Sequence, residues 1–157
     1  RRVFAADGYA IEVSTAPRAA LAVAQRREFD LVISDFRMPE VDGVTFLTLF
    51  RSLQPDAARL ILSGYTDLDA LLGAINDAQI YRFLCKPWHD GELRATVRQA
   101  LGHRAVLLEN RRLAGQVHAQ QAQLHRQEHE LERLERLHPG ITQVQRGPDG
   151  AVLLDGE

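Results

Sequence analysis

The amino-acid sequence predicts an α/β protein with a doubly wound parallel sheet, followed by a long helix and a short β-hairpin. Three features of the 157 residues support this fold class. Short apolar or β-branched runs alternate with helical patterns up to residue 103. Two of these runs, Asp30–Asp35 and Ala58–Gly64, are continuously apolar in the middle, as in strands buried on both faces. From residue 104 to residue 137 the chain has helical composition and no proline.

The elements of the first part follow one another as strands and helices in alternation. We expect strands at Tyr9–Thr15, Asp30–Asp35, Ala58–Gly64 and Tyr81–Pro87. We expect helices at Pro17–Arg27, Gly43–Leu53, Asp67–Asp77 and Asp90–Leu101. Connections of this kind are right-handed and place helices on both faces of a parallel sheet. The first domain is therefore predicted to span residues 1–103.

A helical extension is predicted over residues 104–138. Apolar and amide side chains alternate there at steps of three and four, as in the heptad seam of a coiled coil. The seam consists of Asn110, Leu113, Val117, Gln120, Leu124, Gln127, Leu131 and Leu134. Asn110 at an a position favours a parallel two-stranded arrangement, so we expect a homodimer. The polar seam positions leave open an extended helix without a specific partner.

The tail at residues 139–157 is predicted to form a β-hairpin. Two short apolar runs between Ile141 and Leu154 flank Pro148-Asp149-Gly150, a sequence that favours a turn. Isolated hairpins are marginally stable in water, so this one is expected to dock on another surface or to be mobile.

Composition disfavours several functional classes. A net charge of −2 argues against general nucleic-acid binding, and nothing after residue 103 has a helix-turn-helix pattern, so no direct DNA binding is expected. No apolar run approaches the roughly 20 residues that span a bilayer, so no membrane association is expected. The single cysteine, Cys85, suits a reducing cytoplasm. The absence of a serine–histidine pair or a glycine-rich phosphate loop after a strand disfavours an enzyme.

Three polar side chains end three of the predicted strands. They are Asp35, Ser63 and Lys86. Open parallel sheets gather functional groups at the carboxyl ends of their strands, so we expect these three side chains to lie close together. Asp35 offers a nucleophilic or metal-binding carboxylate, Lys86 a compact ammonium and Ser63 a hydroxyl donor. Lys86 is the only lysine among 19 cationic residues, and Asp42-Gly43 favours a turn into the next helix.

The segments "DFRMPEVDG", "LILSG" and "FLCKPW" each follow a predicted strand, in this order along the chain. Together they make residues from about 9 to 102 resemble the receiver domain of two-component response regulators. The resemblance implies a flavodoxin-like fold in which Asp35 accepts a phosphoryl group from a sensor histidine kinase. It also implies that Ser63 is the switch hydroxyl, that Lys86 pairs with the phosphoryl group and that Phe83 is the aromatic switch residue.

The same resemblance implies a cofactor and two further roles. Mg²⁺ would be bound by the Asp35 carboxylate and by the backbone carbonyl of Arg37. The side chains of Arg37 and Tyr65 would set the lifetime of the phosphoryl group. A protein of this kind is a cytoplasmic signalling module rather than an enzyme. Its only reactions would be transfer of the phosphoryl group to its own aspartate and slow hydrolysis of that aspartyl phosphate.

The sequence departs from the receiver pattern at its start. Receivers begin with a central strand that ends in an acidic pair, whereas the first residues here resemble the end of the first helix. Three explanations remain open: a longer protein, a truncated and inactive receiver, or a replacement strand such as Ala151–Glu157. A phosphorylation-independent interaction or scaffold protein is therefore an alternative to the phosphorylated regulator.

Overall fold

The computed structural model of the chain describes residues 2–64 and 78–140. The chain divides into two compact units, residues 1–109 and residues 110–157. The helix predicted at Asp67–Asp77, the hairpin predicted at Ile141–Leu154 and Tyr65 lie outside the described residues.

A three-stranded parallel sheet forms the centre of the first unit. Its strands are hydrogen-bonded in the order β1 (Leu31–Asp35), β2 (Ala58–Ser63) and β3 (Arg82–Cys85). Asp35 lies opposite Leu62, and Ser63 lies opposite Cys85. This register brings the carboxyl ends of the three strands to one edge of the sheet.

Three helices accompany the sheet in the described ranges. They are α1 (Pro17–Ala24), α2 (Gly43–Leu53) and α3 (Asp90–Leu137), and a 3-10 turn at Arg2–Phe4 precedes them. Pro17 lies in the first turn of α1, where its missing N–H removes no intrahelical hydrogen bond. The observed bounds of α2 are those that the apolar pattern predicts. None of these helices combines the length and the apolar character that crossing a membrane requires.

Apolar side chains of the helices pack against the sheet in two clusters. Phe50 of α2 belongs to the cluster that contains Ile61 of β2. Leu93 and Val97 of α3 belong to the cluster that contains Leu60 of β2. Leu60 and Ile61 are both 0% exposed, and neighbouring residues of a strand point to opposite faces of the sheet. The predicted α/β fold, a parallel sheet covered by helices and followed by a long helix, is confirmed.

The strand predicted at Tyr9–Thr15 is wrong. Residues 9–14 form no regular secondary structure, and Val13 remains 56% exposed. β-branched and aromatic side chains form a strand only when a neighbouring strand provides hydrogen bonds and cross-strand packing. Among the residues that the structure describes, no strand pairs with this segment.

Helix α3 joins two segments that the sequence patterns separate. Helices are predicted at Asp90–Leu101 and at residues 104–138, whereas the structure has one helix from Asp90 to Leu137. Gly102 lies at the expected boundary, but a glycine costs a helix only about 1 kcal/mol relative to alanine. No proline follows it before the end of the helix, so helical hydrogen bonding continues through the glycine.

Buried Arg59 connects two loops at the amino ends of the strands. The side chain belongs to β2 and is 6% exposed. Its guanidinium donates hydrogen bonds of 2.7 to 3.3 Å to the carbonyls of Pro55, Ala57, Ala78 and Gln79. Burial and the nearby charge of Arg51 lower the pKa of Arg59, and Asp56 partly offsets them. The guanidinium remains a cation, because arginine side chains are not deprotonated in proteins.

Candidate functional site

Asp35 and Lys86 meet at the carboxyl edge of the sheet. Asp35 ends β1, and Lys86 directly follows β3, 51 residues further along the chain. The Lys86 Nζ atom lies 2.5 Å from the Asp35 Oδ2 atom. This contact confirms that the two residues converge as predicted. It does not test their phosphoryl-binding roles, which stay predictions.

The ion pair between these two side chains is open to solvent. The Lys86 side chain is 39% exposed and the Asp35 side chain is 38% exposed. An ion pair with this much exposure stabilises a protein by only about 0–1 kcal/mol. Both charged groups are therefore accessible from solvent, and the ion pair itself adds little to the stability of the fold.

Ser63 lies beside this pair at the end of the middle strand. Its backbone carbonyl accepts a hydrogen bond of 2.7 Å from the Lys86 N–H. The Ser63 side chain is buried, with 1% of the residue exposed, and its hydroxyl donates to the Gly64 carbonyl at 3.1 Å. The hydroxyl must leave this carbonyl before it can donate to a group on Asp35.

Phe83 lies on β3, three residues before Lys86. It is opposite Ile61 in the sheet and packs, partly buried, against the cluster that contains Phe50. The structure thus shows where the ring packs, while its switching role stays a prediction.

The loop after β1 folds back onto the end of the strand. The Phe36 N–H donates to the Leu62 carbonyl at 2.7 Å, and the Gly43 N–H donates to the Phe36 carbonyl at 2.8 Å. The Arg37 N–H donates to the Asp35 Oδ1 atom at 3.3 Å. One carboxylate oxygen of Asp35 therefore contacts the ammonium and the other contacts the main chain, which orients the side chain.

Gly43 allows α2 to begin directly against the phospho-acceptor candidate. A Cβ atom at this position would lie 2.1 Å from the carbonyl oxygen of Asp35 and 3.0 Å from the Cα atom of Phe36. Both are backbone atoms and cannot rotate away, so a side chain would displace α2 or the end of β1. The sequence pattern assigned Asp42-Gly43 a turn, and it gave no signal of this close packing.

Asp42 caps the amino end of α2. Its Oδ1 atom accepts hydrogen bonds from the N–H groups of Val44 and Thr45 at 2.9 and 3.0 Å. The Thr45 hydroxyl donates to the Oδ2 atom at 2.7 Å. Burial alone would raise the pKa of Asp42, but the hydrogen bonds from Thr45 and Val44 stabilise the carboxylate and lower the pKa overall. An aspartate just before an apolar helical run is the sequence signal for such a cap.

The described residues do not complete a magnesium site. The predicted ligands are the Asp35 carboxylate and the Arg37 carbonyl, whereas Mg²⁺ takes about six oxygen ligands. Within residues 2–64 and 78–140, no three His, Cys, Asp or Glu side chains come together as a metal site. One carboxylate and one carbonyl would supply two of these ligands, and water or phosphate oxygens commonly supply several of the others.

The sheet, its helices and the strand-end side chains together define an α/β domain of the receiver type. The model of the response regulator receiver domain family matches residues 1–98. The chain belongs to this family, which confirms the resemblance seen in the sequence.

Two curated relatives show the extent of the similarity. The hydrogenase transcriptional regulatory protein HoxA of Cupriavidus necator is 37% identical over 101 residues, which are 64% of this chain and 21% of HoxA. The transcriptional regulatory protein ZraR of Escherichia coli K12 is 32% identical over 96 residues, which are 61% of this chain and 22% of ZraR. The chain thus spans about a fifth of the length of these relatives.

Solved structures agree with the assignment. The signal receiver domain of an HD domain-containing protein from Pseudomonas fluorescens Pf-5 is 37% identical, with a TM-score of 0.65 over 69% of this chain and 79% of that one. A response regulator receiver domain protein from Clostridium thermocellum has a TM-score of 0.62 over 68% of this chain and 85% of that one. At 24% identity, the second similarity shows the fold alone.

Proposed function

We propose that this receiver domain accepts a phosphoryl group on Asp35 from a sensor histidine kinase and relays the phosphorylated state through a conformational change. The main support is the contact between the Asp35 carboxylate and the Lys86 ammonium at the carboxyl edge of the sheet. Membership of the receiver family implies a histidine kinase as the partner. Such a domain is a signalling module and not a classical enzyme.

The transfer requires an oxygen nucleophile and a cation beside it. A carboxylate oxygen of Asp35 attacks the phosphorus, the new O–P bond forms, and the N–P bond to the kinase histidine breaks. The electron pair of that bond returns to the imidazole ring. The aspartyl phosphate has roughly two negative charges and three terminal oxygens. Lys86 Nζ, which already pairs with the Asp35 carboxylate, would pair with this larger anion.

The response to phosphorylation would begin at Ser63. Its hydroxyl would exchange the Gly64 carbonyl for a phosphoryl oxygen, and Phe83 would turn into the space that becomes free. A small local change of this kind selects between two packings of the surrounding residues. Arg37 and Tyr65 are proposed to set the rate of self-dephosphorylation. Mg²⁺ is the proposed cofactor, and the Asp35 carboxylate and the Arg37 backbone carbonyl would be two of its ligands.

Labelling of the whole protein with acetyl phosphate in the presence of Mg²⁺ tests this proposal. The wild type should take up the phosphoryl group, and Asp35→Asn should reduce uptake to background. Asp30→Asn is the matched control, because Asp30 precedes the same strand at its opposite end and its side chain is 74% exposed. Labelling that is unchanged in Asp35→Asn, or lost equally in both variants, contradicts the assignment.

We also propose that the helical extension dimerises with a second copy of the chain. On the part of α3 in the second unit, Leu113, Val117, Leu124 and Leu131 are 45%, 50%, 57% and 53% exposed. A repeated apolar stripe on a helix that is otherwise polar supports a partner helix that covers it.

A charged residue in this stripe tests the dimer. Leu124→Asp should convert a dimer into a monomer in sedimentation experiments, because it places a carboxylate among apolar side chains. Ala122→Asp adds the same charge at a heptad f position outside the seam and should remain dimeric. A wild type that is monomeric at all concentrations, or equal behaviour of both variants, excludes the proposed dimer.

A second candidate function is phosphorylation-independent interaction, with the receiver fold and the helix as a scaffold. The exposed apolar stripe of α3 supports it, because that surface could bind a partner helix without any phosphoryl group. Beryllofluoride, which imitates an aspartyl phosphate, separates the two candidates when it is added with Mg²⁺. Changes in the amide chemical shifts of Ser63 and Lys86 would support phosphorylation, and an unchanged spectrum would support the scaffold.

Two proposals concern the cellular setting. Direct DNA binding by this chain is not expected, although HoxA and ZraR are named transcriptional regulators and the chain spans about a fifth of their length. A cytoplasmic location is proposed because response regulators of this family generally act there. Electrophoretic shift of random duplex DNA at low salt would contradict the first proposal.

A further inference from the structure

The polar positions of the seam contain information about how two copies would pair. The seam on the second unit has Asn110, Val117, Leu124 and Leu131 at a, and Leu113, Gln120, Gln127 and Leu134 at d. All of them are exposed except Leu134, which is partly buried. Three of the eight positions are therefore amides whose surroundings in a dimer depend on the direction and register of the partner helix.

In a parallel dimer without axial offset, every seam residue faces its own copy. Each amide then meets an identical amide that can both donate and accept a hydrogen bond. A parallel shift of one heptad would instead place Asn110 against Val117 and Leu113 against Gln120 of the second copy. Only the unshifted parallel register matches all three amides with amides.

An antiparallel dimer that overlaps the whole seam pairs a positions with d positions. Asn110 would then face Leu134, Gln120 would face Leu124, and Gln127 would face Val117 of the second copy. All three amides of each chain would be covered by apolar side chains. A covered amide without a partner reduces an association constant by about tenfold or more.

Flanking charges oppose the parallel arrangement, but weakly. Glu130 at g would lie near Glu135 at e of the second copy in a parallel dimer. Glu130 also has an ion pair with Arg133 of its own helix, with 3.5 Å between the Arg133 guanidinium and the carboxylate. An exposed like-charge pair of this kind reduces association only by about twofold. The cost of the unmatched amides in the antiparallel dimer is therefore the larger one.

We infer that the partner of the exposed seam is a second copy of this chain in a parallel, unshifted coiled coil, whose register is selected by the Asn110, Gln120 and Gln127 pairs. This inference rests on the proposed dimer and specifies its geometry. It assigns the three amides a function in register selection, since an apolar residue at each position would give a more stable but less specific seam.

Cysteine cross-linking distinguishes the arrangements. Leu113→Cys and Leu131→Cys place thiols near the two ends of the seam, and Ala122→Cys is the control at an outward f position. Each variant is oxidised alone in a glutathione buffer, and the two seam variants are also oxidised as a 1:1 mixture. Mass spectrometry of the linked peptides then distinguishes links between the new cysteines from links that involve Cys85. Sedimentation of the reduced variants reports whether the dimer exists.

The parallel register predicts links from 113 to 113 and from 131 to 131, each about tenfold more abundant than the link at 122 because paired thiols have a high effective concentration. If the only links join 113 to 131, and they form only in the mixture, the dimer is antiparallel. That result would overturn the inferred register but not the dimer. A reduced dimer without preferred seam links would also overturn it. Monomeric variants together with a monomeric wild type would remove the dimer itself.

Discussion

Gly43 and Asp42 determine how the end of β1 and the start of α2 fit together at the residue scale. Position 43 has no space for a side chain beside the Asp35 carbonyl, so only glycine fits there. Asp42 stabilises the first turn of α2 through three hydrogen bonds. The carboxylate of Asp35 is in turn held between the Lys86 ammonium and the Arg37 N–H. The position of the Asp35 side chain therefore depends on Gly43 and Asp42 as well as on the residues that contact its carboxylate.

Gly43→Ala should both destabilise the protein and slow phosphoryl uptake. The added methyl group would overlap backbone atoms, and overpacking of this kind costs about 1–3 kcal/mol. The shift should move Asp35 relative to Lys86 and slow labelling by acetyl phosphate. Gly102→Ala is the control, because a Cβ atom there meets nothing within 4 Å. Wild-type labelling and stability in Gly43→Ala would contradict the packing argument.

Asp42→Ala should lower the free energy of unfolding by about 1 kcal/mol at neutral pH, as loss of an N-cap does. The lowered pKa of Asp42 means that its carboxylate stabilises the folded state above the ordinary aspartate pKa of about 3.9. This contribution is lost as the pH falls through the folded-state pKa, so wild type and variant should converge in acid. Urea titrations at several pH values measure the difference, and a pH-independent gap would contradict it.

The strand-end site was predictable at the residue scale because chain topology fixes it. A buried apolar run followed by Asp35, and a short strand followed by Lys86, suffice to bring both groups to one edge of a parallel sheet. The burial of Ser63 and its bond to the Gly64 carbonyl were not predictable, because they depend on local rotamers. The contact behind Gly43 also depends on the approach of two elements that sequence patterns describe separately.

At the element scale, α3 shows that single glycines do not end a long helix. The amino-terminal part of α3 is buried through Leu93, Val97 and Ala100, whereas the part in the second unit is largely exposed. Gly102 and Gly115 interrupt neither part. The segment Tyr9–Thr15 shows the opposite case. Its residues have high β-propensity, but they form no strand, and none of the described strands pairs with them.

Gly102→Ala and Gly115→Ala should each stabilise α3. Neither Cβ atom would meet another group within 4 Å, so the substitution removes backbone freedom from the unfolded chain without a clash. The expected gain is about 0.5–1 kcal/mol per site. Thermal unfolding followed by circular dichroism at 222 nm, the helix band, measures it, and a lower melting temperature in either variant would contradict the account.

At the scale of the whole molecule, contacts between distant segments hold the first unit together. Arg94 of α3 donates to Asp7 at 2.9 Å across 87 residues of sequence. Arg59 connects the loop before β2 with the residues before β3. Sequence patterns gave the order of the elements and the parallel sheet, but these polar links join loops whose proximity only the folded chain creates.

Arg59→Met should destabilise the first unit by about 2–4 kcal/mol, because several buried carbonyls lose their donor. Arg98→Met is the control, since Arg98 is exposed on α3 and should change stability by no more than about 0.5 kcal/mol. Chemical denaturation of both variants compares them. Equal stability of the two would mean that the Arg59 network contributes little.

The most direct test of the central claim is the chemical location of the phosphoryl group. After incubation with a phosphodonor, borohydride reduces an aspartyl phosphate to homoserine, and peptide mass spectrometry identifies the modified position. The account predicts homoserine at position 35 and unmodified aspartate elsewhere. Homoserine at another aspartate, with position 35 unchanged, would contradict the assignment of Asp35 as the phospho-acceptor.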